Sequence, residues 1–187
     1  MDQSHEGKVA AVFGASFGMG QASAIALAER GATIAASART SGALDSVVAE
    51  IHAAGGTAEA FPADVEDPKQ ARSAVEAIVD RFGRIDIFVY ATGTNIPGRA
   101  AEVLSVDDWD MMQRTNIDGL YHTVQSALET LRKSNARVVV ISSGAVQMPD
   151  PSGVAYQSTK HAQVGFTHGL MQEEAANGIR TTVIFPG

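Results

Sequence analysis

Short apolar runs alternate with longer amphipathic stretches along the whole chain. The runs are mostly continuous, as in Val138–Ile141, and this pattern is typical of strands buried on both faces of a parallel sheet. They predict strands at Lys8–Phe13, Thr33–Ser37, Ala58–Pro62, Ile85–Ala91, Arg137–Ser142 and Thr181–Phe185. The stretches between them have helical length and predict helices at Gly18–Arg30, Ala43–Ala54, Pro68–Phe82, Val106–Lys133 and Val154–Asn177.

Glycine and proline lie where these helices should begin and end. Gly31 follows the first helix, and Asp67-Pro68 places a capping residue and a first-turn proline at the start of the third. Repeated strand–helix alternation predicts right-handed crossovers and therefore a three-layer α/β fold, a doubly wound parallel sheet of the Rossmann type. Because no internal repeat, low-complexity segment or linker interrupts the pattern, we expect a single domain over residues 1–187.

The composition argues against several classes of function. The formal net charge is −7 and lysine and arginine do not cluster, which disfavours nucleic acid or an anionic membrane as a partner. Without cysteine there is no zinc–sulfur site, and the five histidines show no metal-ligand spacing. The polar N-terminus does not resemble a signal peptide, and no apolar run approaches the roughly 20 residues of a membrane span. We therefore expect a cytoplasmic protein that binds a small molecule and no metal.

A glycine-rich segment connects the first predicted strand to the first predicted helix. Glycine is needed where a backbone turns tightly and approaches a pyrophosphate, and a helix N-terminus offers free N–H groups to the phosphates. The spacing is G-x-x-x-G-x-G, and turn glycines without a ligand are the alternative interpretation. The position of the segment within a βαβ series favours dinucleotide binding. The residues expected to contact the dinucleotide here are Gly14, Ser16, Phe17, Gly18, Met19 and Gly20.

The end of the second predicted strand bears on which dinucleotide binds. An acidic residue there would accept hydrogen bonds from the adenosine ribose hydroxyls, but the chain has Arg39 instead. An arginine favours a 2′-phosphate, so NADP is the expected cofactor and NAD is the alternative. The competing interpretation of Arg39 is a solvated residue that begins the next helix.

A tyrosine and a lysine stand four residues apart in the last predicted helix. Tyr156 and Lys160 at this spacing emerge from one face of the helix. A tyrosine hydroxyl ordinarily ionises only near pH ~10, and a neighbouring ammonium favours the phenolate form, as proton transfer at neutral pH requires. A half-exposed tyrosine beside a surface lysine is the alternative. The position after the fifth strand favours catalysis, because the carboxyl ends of parallel strands form the ligand crevice.

Taken together, these features closely resemble the short-chain dehydrogenase/reductase family, of the common type that includes 3-oxoacyl-carrier-protein reductases and hydroxysteroid dehydrogenases. The resemblance extends from Lys8 to Gly187. It implies an NAD(P)-dependent oxidoreductase that transfers hydride between a nicotinamide and a ketone or secondary alcohol. The motifs that carry it, in the family's order and approximate spacing, are Gly14–Gly20, Asp64-Val65, Gly93, Asn116, Ser143, Tyr156-x-x-x-Lys160 and Pro186-Gly187.

The resemblance also implies a role for each matching residue. Tyr156 would be the general acid/base, and Lys160 would also hold the nicotinamide ribose. Ser143 would orient the substrate oxygen, and the neighbouring Ser142 is the alternative for that role. Asn116, which spacing alone leaves open as a solvated helix position, would hold a water that links Lys160 to solvent. The resemblance implies further cofactor contacts at Asp64, Val65, Ala91, Gly93, Pro186 and Gly187. For Asp64, the alternative is an ordinary turn aspartate without a ligand.

The chain departs from the family pattern in two places. Tyr90-Ala91-Thr92-Gly93 stands where the family usually has Asn-Asn-Ala-Gly, and Phe13 replaces a threonine. Since polar groups are lost at both ends of one contact, we expect an apolar Phe13–Tyr90 contact in its place. In addition, the sequence stops directly after the last predicted strand, so we expect that the family's usual C-terminal segment lies beyond Gly187.

Two functional interpretations stay open at this stage. One is a carbonyl reductase or alcohol dehydrogenase, which the intact Asn116, Ser143, Tyr156 and Lys160 set favours. The other is a nucleotide-binding module without turnover, either a redox sensor or an inactive truncated fragment, which the expected C-terminal gap favours. The resemblance further implies a homo-oligomer that pairs through its two long helices.

Overall fold

Parallel strands form one central sheet in the computed structural model, which describes residues 4–148 and 150–187. The strands are β1 Val9–Phe13, β2 Thr33–Ser37, β3 Thr57–Ala60, β4 Ile87–Tyr90, β5 Arg137–Ile141 and β6 Arg180–Ile184. Within these residues the sheet has the order β3-β2-β1-β4-β5-β6, and every neighbouring pair is parallel. This is the strand order of the doubly wound Rossmann fold, so the predicted fold class is confirmed.

Helices connect the strands, as the sequence predicts. They are α1 Gly18–Ala28, α2 Ser41–Ala53, α3 Pro68–Phe82, α4 Val106–Gln113, α5 Gly119–Ser134 and α6 Val154–Glu174. The helix predicted over 106–133 is wrong in one respect, because a π-helical turn at Arg114–Asp118 separates α4 from α5. A π turn changes the hydrogen-bond register by one residue without changing the apolar pattern, so the sequence does not reveal it.

The helices cover both faces of the sheet. Side chains of α1 and α2 such as Ile25 and Leu44 pack with Val12 of β1 on one face. On the other face α3, α5 and α6 pack against Phe13 and Phe88, through residues that include Ile78, Leu131 and Leu170. Consecutive residues of β1 therefore serve opposite cores, which explains why the strands are continuously apolar.

Local signals begin and end the helices. The Asp67 carboxylate accepts a hydrogen bond of 2.8 Å from the Lys69 N–H, and Pro68 occupies the first turn of α3. Ser105 caps α4 in the same way, and Asn135 ends α5 in the left-handed conformation with φ of 48°. Among residues 4–148 and 150–187, no helix combines the length and the apolar character needed to cross a bilayer.

The strand order reverses direction between β1 and β4. In open α/β sheets the crevice for a ligand lies outside the carboxyl ends of the strands at this reversal. The residues directly after β1, β2, β4 and β5 therefore converge on one side of the molecule, and the segments predicted to bind and react lie among them.

Candidate active site

The loop after β1 has a shape that only glycine allows. Gly14 has φ of +87°, and a Cβ on it would lie 2.7 Å from the Thr92 nitrogen. Gly18 has φ of +60°, and a Cβ on Gly20 would clash with the Gly14 carbonyl oxygen. Phe17 precedes α1 without a side-chain cap, so the first N–H groups of the helix are left for another acceptor. These observations support the predicted phosphate-binding role of the loop.

The loop borders a cavity of about 420 Å³ at the carboxyl ends of β1, β2 and β4. Gly20 is buried behind the loop and does not line this cavity. Most residues predicted to contact the dinucleotide do line it, namely Gly14, Ser16, Phe17, Gly18, Met19, Arg39, Asp64, Val65, Ala91 and Gly93.

Arg39 stands at the outer end of this cavity and is loosely held. Its side chain is 66% exposed, and its guanidinium lies 3.9 Å from a carboxylate oxygen of Glu66. Glu66 is held more closely by other groups: the Thr115 hydroxyl donates to it at 2.5 Å and the Arg114 guanidinium lies 3.5 Å away. An exposed ion pair of this kind contributes little, so Arg39 is available to an anionic ligand.

A second cavity, of about 390 Å³, continues from the first. The two share Met19, Ala91, Gly93 and Thr94 in their linings. The second is also lined by Ser142, Ser143, Asp150, Tyr156 and Lys160. The fold therefore brings the predicted catalytic side chains to one end of the cleft that the glycine loop begins.

Lys160 is almost completely buried at the base of this second cavity. Its side-chain ammonium donates to the Ile141 carbonyl and to the Gln163 side chain, both at 3.0 Å, and lies 5.6 Å from the centre of the Tyr156 ring. Burial lowers the pKa of Lys160 to about 8. A Cβ on Gly93 would lie 3.1 Å from the ammonium, so any side chain there would crowd the lysine.

Asn116 lies in the π turn and is fully buried, so the solvated position that spacing alone allowed is wrong. Its side chain accepts a hydrogen bond from the Thr94 N–H at 2.8 Å and donates to the Thr94 carbonyl at 3.1 Å. It also donates to the Thr159 hydroxyl at 2.9 Å. Asn116 thereby ties the loop after β4 to α6, next to Lys160.

The two serines after β5 have different surroundings. The Ser142 hydroxyl is buried and donates to the Lys160 carbonyl at 2.9 Å, so it fastens β5 to α6. The Ser143 hydroxyl accepts a bond of 3.2 Å from the Ala145 N–H and lines the second cavity. Ser143 is thus the serine better placed to meet a substrate.

Phe13 and Tyr90 are partners in the register of β1 and β4, and both are fully buried in one apolar cluster. The Phe13 ring packs on Phe88, with 5.1 Å between centroids. The sequence predicts a purely apolar contact between Phe13 and Tyr90, and only Phe13 fits that prediction. The Tyr90 hydroxyl is polar and donates to the Thr115 carbonyl at 2.7 Å. Burial raises the pKa of Tyr90, which keeps this hydroxyl protonated as a donor.

The last predicted contacts lie apart from both cavities. The Pro186 carbonyl accepts a bond of 2.6 Å from the Gly144 N–H, and Pro186 and Gly187 line neither cavity. One residue in contact with Lys160 was not predicted from the sequence, namely Gln163. The signal that could have found it is the spacing, because Lys160 and Gln163 are three residues apart and share one helix face.

The loop after β1 needs glycine at Gly14 and Gly20, and it lies beside a cleft that contains a tyrosine and a buried lysine. This combination is typical of a dinucleotide-binding oxidoreductase.

Comparison with known proteins gives the same class. A profile of the short chain dehydrogenase family matches residues 8–187. A 2,3-dihydro-2,3-dihydroxybenzoate dehydrogenase from Bacillus subtilis is 36% identical over 97% of this chain and 70% of its own. A 3-oxoacyl-[acyl-carrier-protein] reductase from Synechocystis is 32% identical over 96% of this chain and 73% of its own.

Solved structures agree as well. A dehydrogenase/reductase from Sinorhizobium meliloti has a TM-score of 0.92 and 32% identity, over 97% of this chain and 72% of its own. A metagenomic short-chain oxidoreductase in complex with NADP has a TM-score of 0.93 and 28% identity, over 98% of this chain and 84% of its own. The chain belongs to the short-chain dehydrogenase/reductase family and is an oxidoreductase with that family's nicotinamide-nucleotide-binding fold.

Proposed function

We propose that this protein uses NADP to interconvert a ketone and a secondary alcohol, with Tyr156 as the general acid/base. The observation that carries the proposal is the position of Tyr156 beside the buried Lys160 ammonium, in a cleft continuous with the glycine-loop cavity. A surface tyrosine–lysine pair would have neither the burial nor the adjoining cavity.

The residues present fit a nicotinamide dinucleotide. Gly14 and Gly20 leave a concave backbone where side chains would collide, and the uncapped start of α1 offers N–H donors to a pyrophosphate. Asp64 and Val65 line the same cavity further along, where an adenine would lie. Lys160, at the other end, has an ammonium that can also donate to a ribose hydroxyl.

Arg39 supports NADP over NAD. No acidic residue follows β2 within Ala38, Arg39 and Thr40, so the usual acceptor for two free ribose hydroxyls is missing. The Arg39 guanidinium is exposed at the rim, and its fork of donors suits a phosphate. A structural relative holds NADP on the same fold.

The chain's own groups carry the proton chemistry. A bound NADPH would supply the hydride for the carbonyl carbon, and the reverse reaction would return the hydride to NADP⁺. Tyr156 donates its phenolic proton to the substrate oxygen, which completes the alcohol, and it takes that proton back in the oxidative direction. The Ser143 hydroxyl donates a hydrogen bond to the same oxygen, and the Lys160 ammonium stabilises the phenolate left on Tyr156.

We also propose that copies of the chain associate through α5 and α6, which carry the exposed apolar residues Tyr121 and Met171. Tyr121 is 54% exposed and Met171 is 40% exposed, so each offers contact area to a partner copy. Light scattering should give a mass at least twice that of the chain, and a mass of 19.5 kDa would contradict this assembly.

The proposed function is tested by the rate of NADPH consumption with a panel of small-molecule ketones. The same rates are measured with NADH for comparison. The panel should include a 3-oxoacyl thioester and a steroid ketone, with the matching alcohols and NADP⁺ for the reverse direction. Turnover with a preference for NADPH supports the proposal. Tight NADPH binding without turnover of any ketone or alcohol would overturn it in favour of a nucleotide-binding module.

A further inference from the structure

One buried side chain at the centre of the site lies outside the serine, tyrosine, lysine and asparagine set. Gln163 of α6 is fully buried, and its amide makes a hydrogen bond at each end. The oxygen accepts from the Lys160 ammonium at 3.0 Å, and the nitrogen donates to the Asn116 backbone carbonyl at 2.8 Å. These partners determine the orientation of the amide, because an ammonium only donates and a carbonyl only accepts.

We propose that Gln163 is a positioning residue of this oxidoreductase, whose amide joins the Lys160 ammonium to the Asn116 backbone and holds the ammonium beside Tyr156. The part of this inference that concerns turnover rests on the proposed function. The part that concerns the state of Lys160 rests on the contacts alone.

The Lys160 ammonium is held in place by two acceptors. A lysine side chain is flexible, and its ammonium loses much rotational freedom when it is fixed. Lys160 is fixed from two elements: β5 supplies the Ile141 carbonyl, and α6 supplies the Gln163 amide. Both acceptors also offset the loss of water around a buried charge.

The other end of the Gln163 amide contacts the Asn116 carbonyl. Asn116 belongs to the π turn between α4 and α5, and such turns release carbonyl groups from the regular helical register. Two consecutive carbonyls of this turn accept side-chain donors, Thr115 from Tyr90 of β4 and Asn116 from Gln163 of α6. The position of Lys160 is therefore tied to the turn as well as to its own helix.

The Gln163 amide and a water molecule differ in their proton chemistry. The sequence resemblance implies that Asn116 holds a water that links Lys160 to solvent, and the Gln163 amide adds a direct link between Lys160 and the Asn116 backbone. A glutamine amide neither gains nor loses a proton near neutral pH, whereas water can pass one on. Gln163 therefore acts by holding the ammonium and does not itself carry a proton.

The ionisable surroundings of Lys160 make this contact measurable. The Tyr156 ring is in contact with the ammonium, and Asp150 lines the same cavity. Within residues 4–148 and 150–187 no carboxylate lies within ion-pair distance of Lys160, and burial lowers its pKa to about 8. A change at Gln163 should therefore register directly in the Lys160 titration.

The experiment follows that titration in cofactor-free protein by NMR, with ¹³C at the lysine ε-carbons. The chain has lysines at positions 8, 69, 133 and 160 alone, and Lys160→Met identifies the resonance of interest. Gln163→Leu removes the acceptor and should lower the titration midpoint by about one pH unit, the scale of a charge-assisted hydrogen bond. Gln163→Glu keeps an acceptor and adds a negative charge, so it should raise the midpoint.

The matched control is Thr167→Val, one turn further along the same buried face. Its hydroxyl donates to the Gln163 carbonyl at 2.7 Å, so the variant removes a buried hydrogen bond without touching Lys160. The midpoint should stay at the wild-type value. If Gln163→Glu fails to raise the midpoint, or if Thr167→Val shifts it as far as Gln163→Leu does, the proposal is wrong.

Turnover gives the second readout. Gln163→Leu should lower kcat at least about tenfold with little change in substrate KM, because it displaces the ammonium and not the substrate. Gln163→Glu should recover part of kcat, with a pH profile moved toward higher pH. An unchanged kcat in Gln163→Leu would contradict the positioning role. Absence of turnover in the wild-type protein would contradict the proposed function instead, and the titration would still decide the contact with Lys160.

Discussion

The Tyr90 hydroxyl donates a hydrogen bond of 2.7 Å to the Thr115 backbone carbonyl. This bond joins the end of β4 to the π turn that carries Asn116, and both partners are buried. The tyrosine stands where the family usually has asparagine. It therefore retains a polar connection at this position, with a longer side chain and a different partner.

Removal of this hydroxyl should destabilise the fold. Tyr90→Phe leaves the Thr115 carbonyl buried without its side-chain donor, and we expect the free energy of unfolding to fall by about 1–3 kcal/mol. Urea denaturation measures the change. Ser46→Ala is the control, because the exposed Ser46 hydroxyl donates to the Gly42 carbonyl, and its removal should change stability by less than about 0.5 kcal/mol. If both variants changed the free energy of unfolding equally, the Tyr90 hydrogen bond would not contribute to stability as expected.

The two serines after β5 should separate stability from catalysis. Ser142→Ala removes the buried bond to the Lys160 carbonyl and should cost about 1 kcal/mol or more in urea denaturation. Ser143→Ala removes only a long bond from the Ala145 N–H, so it should cost less stability than Ser142→Ala. It should lower kcat by about 100-fold or more, because it removes a donor to the reacting oxygen. If Ser142→Ala lowered kcat and Ser143→Ala lowered only stability, the reacting serine would be Ser142.

Arg39 should decide between the two dinucleotides. Arg39→Asp removes the partner of a 2′-phosphate and supplies an acceptor for ribose hydroxyls. We expect Kd for NADPH to rise at least about tenfold while Kd for NADH falls. Fluorescence titration measures both constants. Arg114→Gln is the control, because Arg114 also lies near Glu66 but does not line the cavity, and the ratio of the two constants should not change.

Burial of Lys160 should make stability depend on alkaline pH. The folded-state pKa is lowered from 10.5 to about 8, so between these values the unfolded chain binds more protons than the folded one. Folding stability attributable to this group therefore rises with pH across that window, by up to about 3 kcal/mol, and the destabilisation is fully present below pH 8.

Comparison with Lys160→Met isolates this effect from other alkaline titrations. The difference in unfolding free energy between wild type and variant should shift in favour of wild type as pH rises from about 8 to 10. A difference that stays constant over this range would mean that the lysine is not desolvated in the fold.

The sequence predicts the parts of this site that depend on local spacing. Gly14 and Gly18, followed by a helix, indicate the phosphate loop, and the four-residue separation of Tyr156 and Lys160 is visible without a structure. The doubly wound parallel sheet follows from the alternation of elements and the handedness of their connections. The doubly wound fold is confirmed, and the roles of the loop and of the tyrosine–lysine pair stay predictions.

Other features depend on packing between distant segments. The π turn at Asn116 has the same apolar periodicity as an α-helix, so no pattern distinguishes it. Gln163 resembles an ordinary polar helix residue until α6 packs against the sheet and the turn, which buries it completely. The difference between Ser142 and Ser143 likewise arises only when α6 presents the Lys160 carbonyl to one of them.

The most direct test of the account is Tyr156→Phe, measured for turnover and for NADPH binding in the same preparation. The substitution removes a single oxygen, so Kd for NADPH should stay within about twofold of wild type while kcat falls by about 100-fold or more. Loss of binding together with activity would make Tyr156 a structural residue. Turnover retained at the wild-type rate would contradict the central claim that Tyr156 carries the proton.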